Sequence, residues 1–191
     1  VIALMLQANS ELSWRDVQAI LAVTAQKTDS THSSWITNGI GLSHSNLYGF
    51  GLVDASAAVE LAKKWELFPP EVQVITETGP VNQTILDYPG DKIVSEVSVG
   101  PSSDVVVEST AVYLDLTHGS RGDLEITLIS PSGTRSIMHP GQRPENSQTT
   151  ERWKLMSVAF WGEPADGTWM LQVTDQSAGD LHQCIDVLGF S

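Results

Sequence analysis

The chain has 191 residues, of which 10 are basic and 23 are acidic, so its formal net charge at pH 7 is −13. This acidity argues against a nucleic-acid partner, because binding phosphates requires a basic surface. A single cysteine, Cys184, excludes an intrachain disulfide and is interpreted as a small buried apolar residue. No apolar run approaches the length of a membrane span.

The first eight residues, Val1–Ala8, are apolar on every side except at Gln7. A helix that is apolar all round belongs inside a larger core. We therefore expect the sequence to begin within an element of a larger protein.

Two further helices are predicted from their N-terminal caps. Ser13 followed three residues later by Asp16 is a capping-box pattern, and this helix is expected to run to about Ala25. Residues expected to share one of its faces are Trp14, Val17 and Leu21. Asp54 is the predicted cap of a third helix, and the residues between the two helices, 28–48, are expected to form a loop.

The composition changes after Glu66. All 9 prolines lie beyond it, whereas 9 of the 13 alanines lie before it. Residues 1–66 carry 4 basic and 6 acidic groups, and residues 67–191 carry 6 and 17, so most of the negative charge lies in the second segment. Paired prolines cannot continue a helix, so Leu67–Pro70 is predicted to link a helical segment, 1–66, to a second domain, 67–191.

Short runs of β-forming residues, separated by turn signals, fill the second segment. Their number and spacing indicate a mainly β fold, a β-sandwich of jelly-roll type. The predicted strands are Val72–Thr76, Ile93–Val99, Ser109–Leu116, Leu124–Ser130, Trp153–Trp161, Thr168–Thr174 and Ile185–Phe190.

The clearest alternation of apolar and polar residues occurs in two of these runs. Ser109–Leu116 and Leu124–Ser130 are predicted to pair as a hairpin at the centre of an antiparallel sheet. The sequence Ser130-Pro131-Ser132-Gly133 then predicts a type I turn, because proline fixes φ at the second position and glycine suits the fourth.

The segments Arg121–Arg135 and Gly162–Val173 resemble the P domain that follows the catalytic domain in kexin- and furin-like subtilisin proteases. In the helical part, Leu12–Gln18 resembles the helix after the active-site serine helix of these enzymes. Trp35–Gly41 and Tyr48–Ala55 resemble the end of their catalytic domain. The resemblance therefore covers nearly the whole chain, with its segments in the family's order.

This resemblance implies that residues 1–66 are the truncated end of a subtilisin-like catalytic domain, and that residues 67–191 are a P domain that packs against it and stabilises it. The implied parent is a calcium-dependent serine endopeptidase that processes protein precursors after paired basic residues, in the secretory pathway or outside the cell. Calcium would bind to the parent's catalytic domain, and no cofactor or metal site is expected in this chain. The sequence has none of the family's triad motifs, so no catalytic residue is assigned and the chain alone is expected to be inactive.

Four further features have a possible functional or structural role. His118-Gly119-Ser120 is similar to the family's catalytic-histidine motif, but a turn and a strand are predicted after it where that motif requires a helix. His44 is expected to be a structural residue of the catalytic domain. Arg121-Gly122-Asp123 spells an integrin-binding tripeptide, but a bend into the following strand is the favoured interpretation. Asn82-Gln83-Thr84 is an N-glycosylation sequon, which makes Asn82 a candidate modified residue.

A different class of function fits the β half alone, namely a non-catalytic β-sandwich module that binds a carbohydrate or a cell-surface receptor. The helical half discriminates between the two interpretations. A free-standing module has no need of the Trp35–Gly41 and Tyr48–Ala55 segments.

Overall fold

A computed structural model describes residues 1–79, 81, 83–101, 105–143, 149–178 and 184–190. By their contacts the residues form two compact units. The helical unit comprises Val1–Thr37 and Gly41–Val72, and the β unit comprises Asn38–Ile40 and Gln73–Ser191. The contact boundary thus lies at residues 72 and 73, and three residues from within the first segment belong to the second unit.

The helical unit contains three helices and a pair of short strands. The helices are α1 (Ile2–Ala8), α2 (Trp14–Thr24) and α3 (Ala55–Ala62), and the antiparallel strands are β1 (Trp35–Thr37) and β2 (Ser43–Ser45). Both predicted caps are confirmed: Ser13 and Asp16 form a capping box, and the Asp54 side chain accepts a hydrogen bond from the N–H of Ala57.

The core of the helical unit is small. It is formed by Met5, Leu12, Val17, Ile20, Ala58 and Ala62. Trp14 was predicted to share the buried face of α2, but it is 65% exposed. The buried face of α2 instead includes Val17 and Ile20. On α1 only Met5 is buried, while Ile2, Leu4 and Leu6 are exposed.

The β unit is a sandwich of two four-stranded antiparallel sheets, which confirms the predicted fold class. One sheet has the order β3-β10-β5-β8, and its strands are β3 (Gln83–Thr84), β10 (Cys184–Phe190), β5 (Thr110–Thr117) and β8 (Thr149–Ser157). The other has the order β4-β9-β6-β7, and its strands are β4 (Ile93–Val99), β9 (Gly167–Asp175), β6 (Leu124–Ile129) and β7 (Arg135–Pro140). The buried core includes Phe160 and Trp169, whose rings meet edge to face at 5.1 Å.

The predicted hairpin between Ser109–Leu116 and Leu124–Ser130 is wrong, because β5 and β6 lie in different sheets. Each strand has an apolar face that is almost completely buried. These faces are Val112, Leu114 and Leu116 on β5, and Leu124, Ile126 and Leu128 on β6. Placing the two strands in opposite layers of a sandwich buries both faces in one core, whereas a hairpin would leave them side by side in one layer.

Two other strand predictions need correction, and strand β7 was missed. Val72–Thr76 forms no strand beyond a single bridge residue at Thr76, and β8 spans Thr149–Ser157 rather than Trp153–Trp161. Strand β7 was not predicted, because its buried positions include the polar residues Ser136 and His139 and therefore show no apolar alternation. The predicted turn at Ser130–Gly133 is confirmed by an N–H to carbonyl hydrogen bond of 2.9 Å between Gly133 and Ser130, and it joins β6 to β7.

Candidate functional site

The three residues Asn38–Ile40 are the part of the β unit that comes from furthest away in the sequence. They follow β1 and precede β2 along the chain. Their contacts within the β unit are with two turns, Ser130–Thr134 and Ala159–Glu163. We call these three segments together the Asn38 cluster.

The Asn38 side chain is buried and hydrogen-bonded at both ends of its amide group. Its Nδ2 donates to the carbonyl oxygens of Ala159, at 3.3 Å, and Trp161, at 2.9 Å. Its Oδ1 accepts from the N–H of Ile40 at 3.2 Å. A carboxamide offers two donors and an acceptor on one planar group, and aspartate offers acceptors only, so this environment is specific for the amide.

Glu163 has no exposed surface and holds the same loop from a second side. Its Oε1 accepts hydrogen bonds from the N–H of Gly39, at 2.7 Å, and from the hydroxyl of Thr134. Within the described residues, its Oε2 has no hydrogen-bond partner. Burying a carboxyl group costs free energy unless hydrogen-bond donors surround it. Here the donors offset this cost at Oε1 only.

Two tight turns place the groups that receive the loop. In the first, the hydroxyl of Ser130 accepts from the N–H of Thr134 at 3.2 Å, which fixes Thr134 immediately before β7. In the second, Val107 pairs with Gly162 and Glu163 through hydrogen bonds of 2.7 and 2.8 Å between backbone groups. Backbone hydrogen bonds in these turns, as well as packing, therefore fix the positions of the Thr134 and Glu163 side chains.

Glycine is favoured on both sides of the contact, at Gly39 by the close approach of the Ser132 side chain and at Gly162 by a positive φ. A Cβ atom on Gly39 would lie 2.5 Å from Cβ of Ser132 and 2.7 Å from its Oγ. A Cβ atom on Gly162, where φ is +81°, would lie 2.4 Å from Cδ1 of Ile40. The cluster is therefore fitted to a small-residue loop.

The chemistry of the Asn38 cluster is that of an anchor for a loop. Most of its hydrogen bonds join a side chain to a backbone group, and one joins the Thr134 hydroxyl to the Glu163 carboxyl group. In the part of the chain that the structure describes, no group of three or more His, Cys, Asp or Glu side chains is arranged to hold a metal ion.

His44 lies in β2, where it is buried and packs edge-on against Phe50 with 5.2 Å between the ring centroids. Burial lowers the pKa of this imidazole below its ordinary value. The environment therefore favours a neutral histidine within the helical unit.

His118 is buried between two acceptors and is not followed by a helix. Its Nδ1 lies 2.8 Å from the carbonyl oxygen of Ser120, and its Nε2 lies 3.3 Å from Oδ2 of the buried Asp175. A 3₁₀ turn, Arg121–Asp123, and then β6 follow it, as predicted. No sequence pattern indicates the pairing with Asp175, because the two residues lie 57 positions apart, His118 directly after β5 and Asp175 at the end of β9.

The Arg-Gly-Asp tripeptide forms the 3₁₀ turn itself. Gly122 is buried, and the Arg121 guanidinium lies over the ring of Trp153, 5.0 Å from its centroid. The carbonyl oxygen of Asp123 accepts from the N–H of Gln176 at 2.9 Å. These contacts support the structural interpretation of the tripeptide.

Asn82, the candidate glycosylation residue, lies outside the described residues, as does the side chain of Cys184. Among the helices that the structure describes, none has the length and apolarity needed to cross a membrane.

Sequence reasoning missed Glu163 and Thr134 as residues of the site. A weak signal was present, since Glu163 is an acidic residue inside the Trp161-Gly162-Glu163-Pro164 run that ends an otherwise apolar stretch. The Asn-Gly pair at residues 38–39 indicated a turn, but its burial depends on residues more than 90 positions away.

Comparison with known proteins gives related sequences over most of the chain. Residues 107–184 match the family model of the proprotein convertase P-domain. Proprotein convertase subtilisin/kexin type 6 of Rattus norvegicus is 37% identical over 192 residues, covering 92% of this chain and 19% of the relative. The dibasic-processing endoprotease of Schizosaccharomyces pombe is 38% identical over 191 residues, covering 94% of this chain and 27% of the relative.

A solved structure shares the fold. The crystal structure of a serine protease of Aeromonas sobria matches with a TM-score of 0.84 and 25% sequence identity, covering 99% of this chain and 41% of that chain. This chain thus spans less than half of the length of each of these relatives. The β unit thus contains a match to the proprotein convertase P-domain, and 92–94% of the chain is similar to kexin-like proprotein convertases.

Proposed function

We propose that this chain is part of a calcium-dependent serine endopeptidase that processes protein precursors after paired basic residues. The observation that carries the proposal is the extent of the similarity to the convertases. The P-domain match covers residues 107–184, whereas the convertases align with 92–94% of the chain, so the similarity includes most of the helical unit. One of these relatives is named for dibasic processing.

In this proposal residues 1–66 are the end of the catalytic domain, and residues 67–191 are the P domain that stabilises it within the same molecule. The Asn38 cluster supports that role. Asn38–Ile40 belongs by sequence to the Trp35–Gly41 segment, which resembles the end of a catalytic domain, and by contacts to the β unit. The β unit holds this loop through the buried side chains of Asn38 and Glu163.

The chain by itself is inactive in this proposal, because its sequence has none of the family's triad motifs. Two samples test the proposal: the 191-residue chain and the complete protein that contains it, each given a fluorogenic paired-basic peptide and a fluorophosphonate probe. We expect cleavage and serine labelling only with the complete protein. Labelling of a serine in the 191-residue chain, or an inactive complete protein, contradicts the proposal.

Calcium is assigned to the catalytic domain of the parent, and the site of action to the secretory pathway, such as the Golgi, or to the outside of the cell. Chelation of calcium is expected to abolish cleavage by the complete protein, and added calcium to restore it. Activity that is unchanged by chelation contradicts the calcium assignment while leaving the peptidase assignment intact.

A non-catalytic adhesion or binding module is the less favoured candidate. The tripeptide that would serve a cell-surface receptor is a 3₁₀ turn with a buried glycine, Gly122. The family similarity also extends well beyond the P-domain match, which a free-standing module does not require.

A further inference from the structure

The Asn38 cluster contains a chemically labile pair of residues, Asn38 and Gly39. Asn38-Gly39 is the only Asn-Gly pair in the sequence. In such a pair the backbone nitrogen of glycine attacks Cγ of the asparagine, and ammonia leaves as a cyclic imide forms. Water then opens the imide to aspartate or isoaspartate. Glycine favours this attack because no Cβ shields its nitrogen, and asparagine is accordingly a thermolabile residue.

The contacts of the cluster oppose each step of this reaction. The N–H of Gly39, whose nitrogen would attack, donates a hydrogen bond to Oε1 of Glu163 at 2.7 Å and lies 3.1 Å from Oγ1 of Thr134. Ring closure must rotate the Asn38 carboxamide and break its hydrogen bonds to Ala159, Trp161 and Ile40. The two carbonyl oxygens beside Nδ2 accept hydrogen bonds only, so they cannot supply a proton to the departing ammonia.

We propose that Asn38-Gly39 is a covalent modification site, at which deamidation is gated by local opening of the Asn38 cluster and, once complete, prevents the cluster from closing again.

The product cannot restore the original contacts. Aspartate has no N–H groups for the carbonyl oxygens of Ala159 and Trp161, and isoaspartate also lengthens the main chain by one atom. The new carboxylate enters a cluster that already buries the carboxyl group of Glu163. Opening is reversible, whereas the chemistry that follows it is not.

The full 191-residue chain and a synthetic peptide spanning residues 35–45 provide the test. Both are incubated at mildly alkaline pH, and conversion of Asn38 is followed by mass spectrometry with separation of the isoaspartate product. We expect conversion in the folded chain to be at least about tenfold slower than in the peptide, because reaction requires local opening. Amide hydrogen exchange at Gly39 depends on the same opening, so its protection factor should match the slowing of deamidation.

A matched pair of variants perturbs this opening. Thr134→Val removes a hydroxyl that bonds to Gly39 and Glu163, and it should accelerate exchange and deamidation by the same factor. Thr127→Val removes a buried hydroxyl that has no partner within the described residues, and it should change neither rate. If Thr134→Val does not fold, the same two rates are compared for the unmodified chain across subdenaturing urea concentrations.

A further variant reproduces the product. Asn38→Asp should raise the exchange rate at Gly39 by at least about tenfold, whereas Asn46→Asp, at an exposed position, should leave it unchanged. Three results overturn the proposal. The first is conversion of Asn38 as fast in the folded chain as in the peptide, and the second is a different response of the exchange and deamidation rates to Thr134→Val. The third is slower conversion in Glu163→Gln, which would make Glu163 the base that promotes the reaction.

Discussion

Each unit buries a carboxyl group that holds a distant part of the chain, and the two groups are satisfied to different degrees. Asp16 in the helical unit accepts four hydrogen bonds: two from Ser13, at 2.5 and 2.8 Å, one from Nε1 of Trp65 and one from the N–H of Phe68, both at 2.9 Å. Glu163 in the β unit accepts two, both at Oε1.

The difference shows how donors and burial compete. For Asp16 the largest single effect is burial, which raises the pKa, but the hydrogen bonds from Ser13, Phe68 and Trp65 together lower it below the ordinary value. The Asp16 site is therefore built for a charged group. The Glu163 site offers donors to one oxygen only, so its main contribution is an acceptor for the Gly39 loop.

The largest expected effect is that of Asp16→Asn. The amide places an NH₂ group against two of the four donors, so the helical unit should lose about 2–4 kcal/mol of stability. Urea unfolding followed by tryptophan fluorescence measures the loss, and amide exchange at Phe68 locates it in the helical unit. Glu60→Gln is the control, because Glu60 is an exposed carboxylate paired with Lys63 and should give no measurable change.

The second-largest expected effect is a loss of stability in the β unit, caused by a steric clash. Gly39→Ala brings a Cβ atom to within 2.5 Å of Ser132, so the β unit should lose about 1–3 kcal/mol of stability. The double variant with Ser132→Gly removes the clashing atoms and should recover most of the loss. Failure of this rescue in thermal unfolding would show that the conformation of residue 39, rather than its contact with Ser132, requires glycine.

A smaller effect is expected for Glu163→Gln. Glutamine keeps an oxygen that accepts from Gly39 and Thr134, so the cost should be below about 1 kcal/mol when measured by urea unfolding. A loss as large as that of Asp16→Asn would contradict the contrast between the two carboxyl groups. Glu163→Ala, which removes both oxygens, should cost more than Glu163→Gln.

The smallest expected effect is a loss of folding stability at low pH. Because the pKa of Asp16 is lowered in the folded state, its contribution is fully present above the unfolded pKa of about 3.9 and is lost as the pH falls through the folded value. Unfolding experiments below pH 4 should therefore show a loss of stability that is reduced in Asp16→Asn. If the unmodified chain and Asp16→Asn lose the same amount of stability at low pH, the loss arises from carboxylates other than Asp16.

Local signals in the sequence predicted much of the architecture. The caps at Ser13 and Asp54, the turn at Ser130–Gly133 and the alternation in β4 each depend on residues close together in the chain. These signals identified the helices, most of the longer strands and the β-sandwich class. They could not decide which strands share a sheet, because the apolar faces of β5 and β6 are satisfied equally by two partners in one layer or in opposite layers.

The candidate site was not predicted for a related reason. Asn38-Gly39 and Gly162-Glu163 each indicate a turn, and neither indicates the other. Their association is a long-range event, which depends on the close contact of Gly39 with Ser132 and on one carboxyl oxygen of Glu163. Sequence patterns report periodicity and local geometry, and this contact has neither.

The β unit is discontinuous in sequence, since it consists of Asn38–Ile40 and everything after Val72. A gene fusion or recombination event with one breakpoint between residues 66 and 73 would transfer the sandwich without the loop that occupies its Asn38 cluster. Two breakpoints, or a recipient that already has a matching Asn-Gly loop, are needed to transfer the complete unit. This requirement links the inheritance of the P domain to that of the segment before it, so the two should be exchanged between genes together more often than separately.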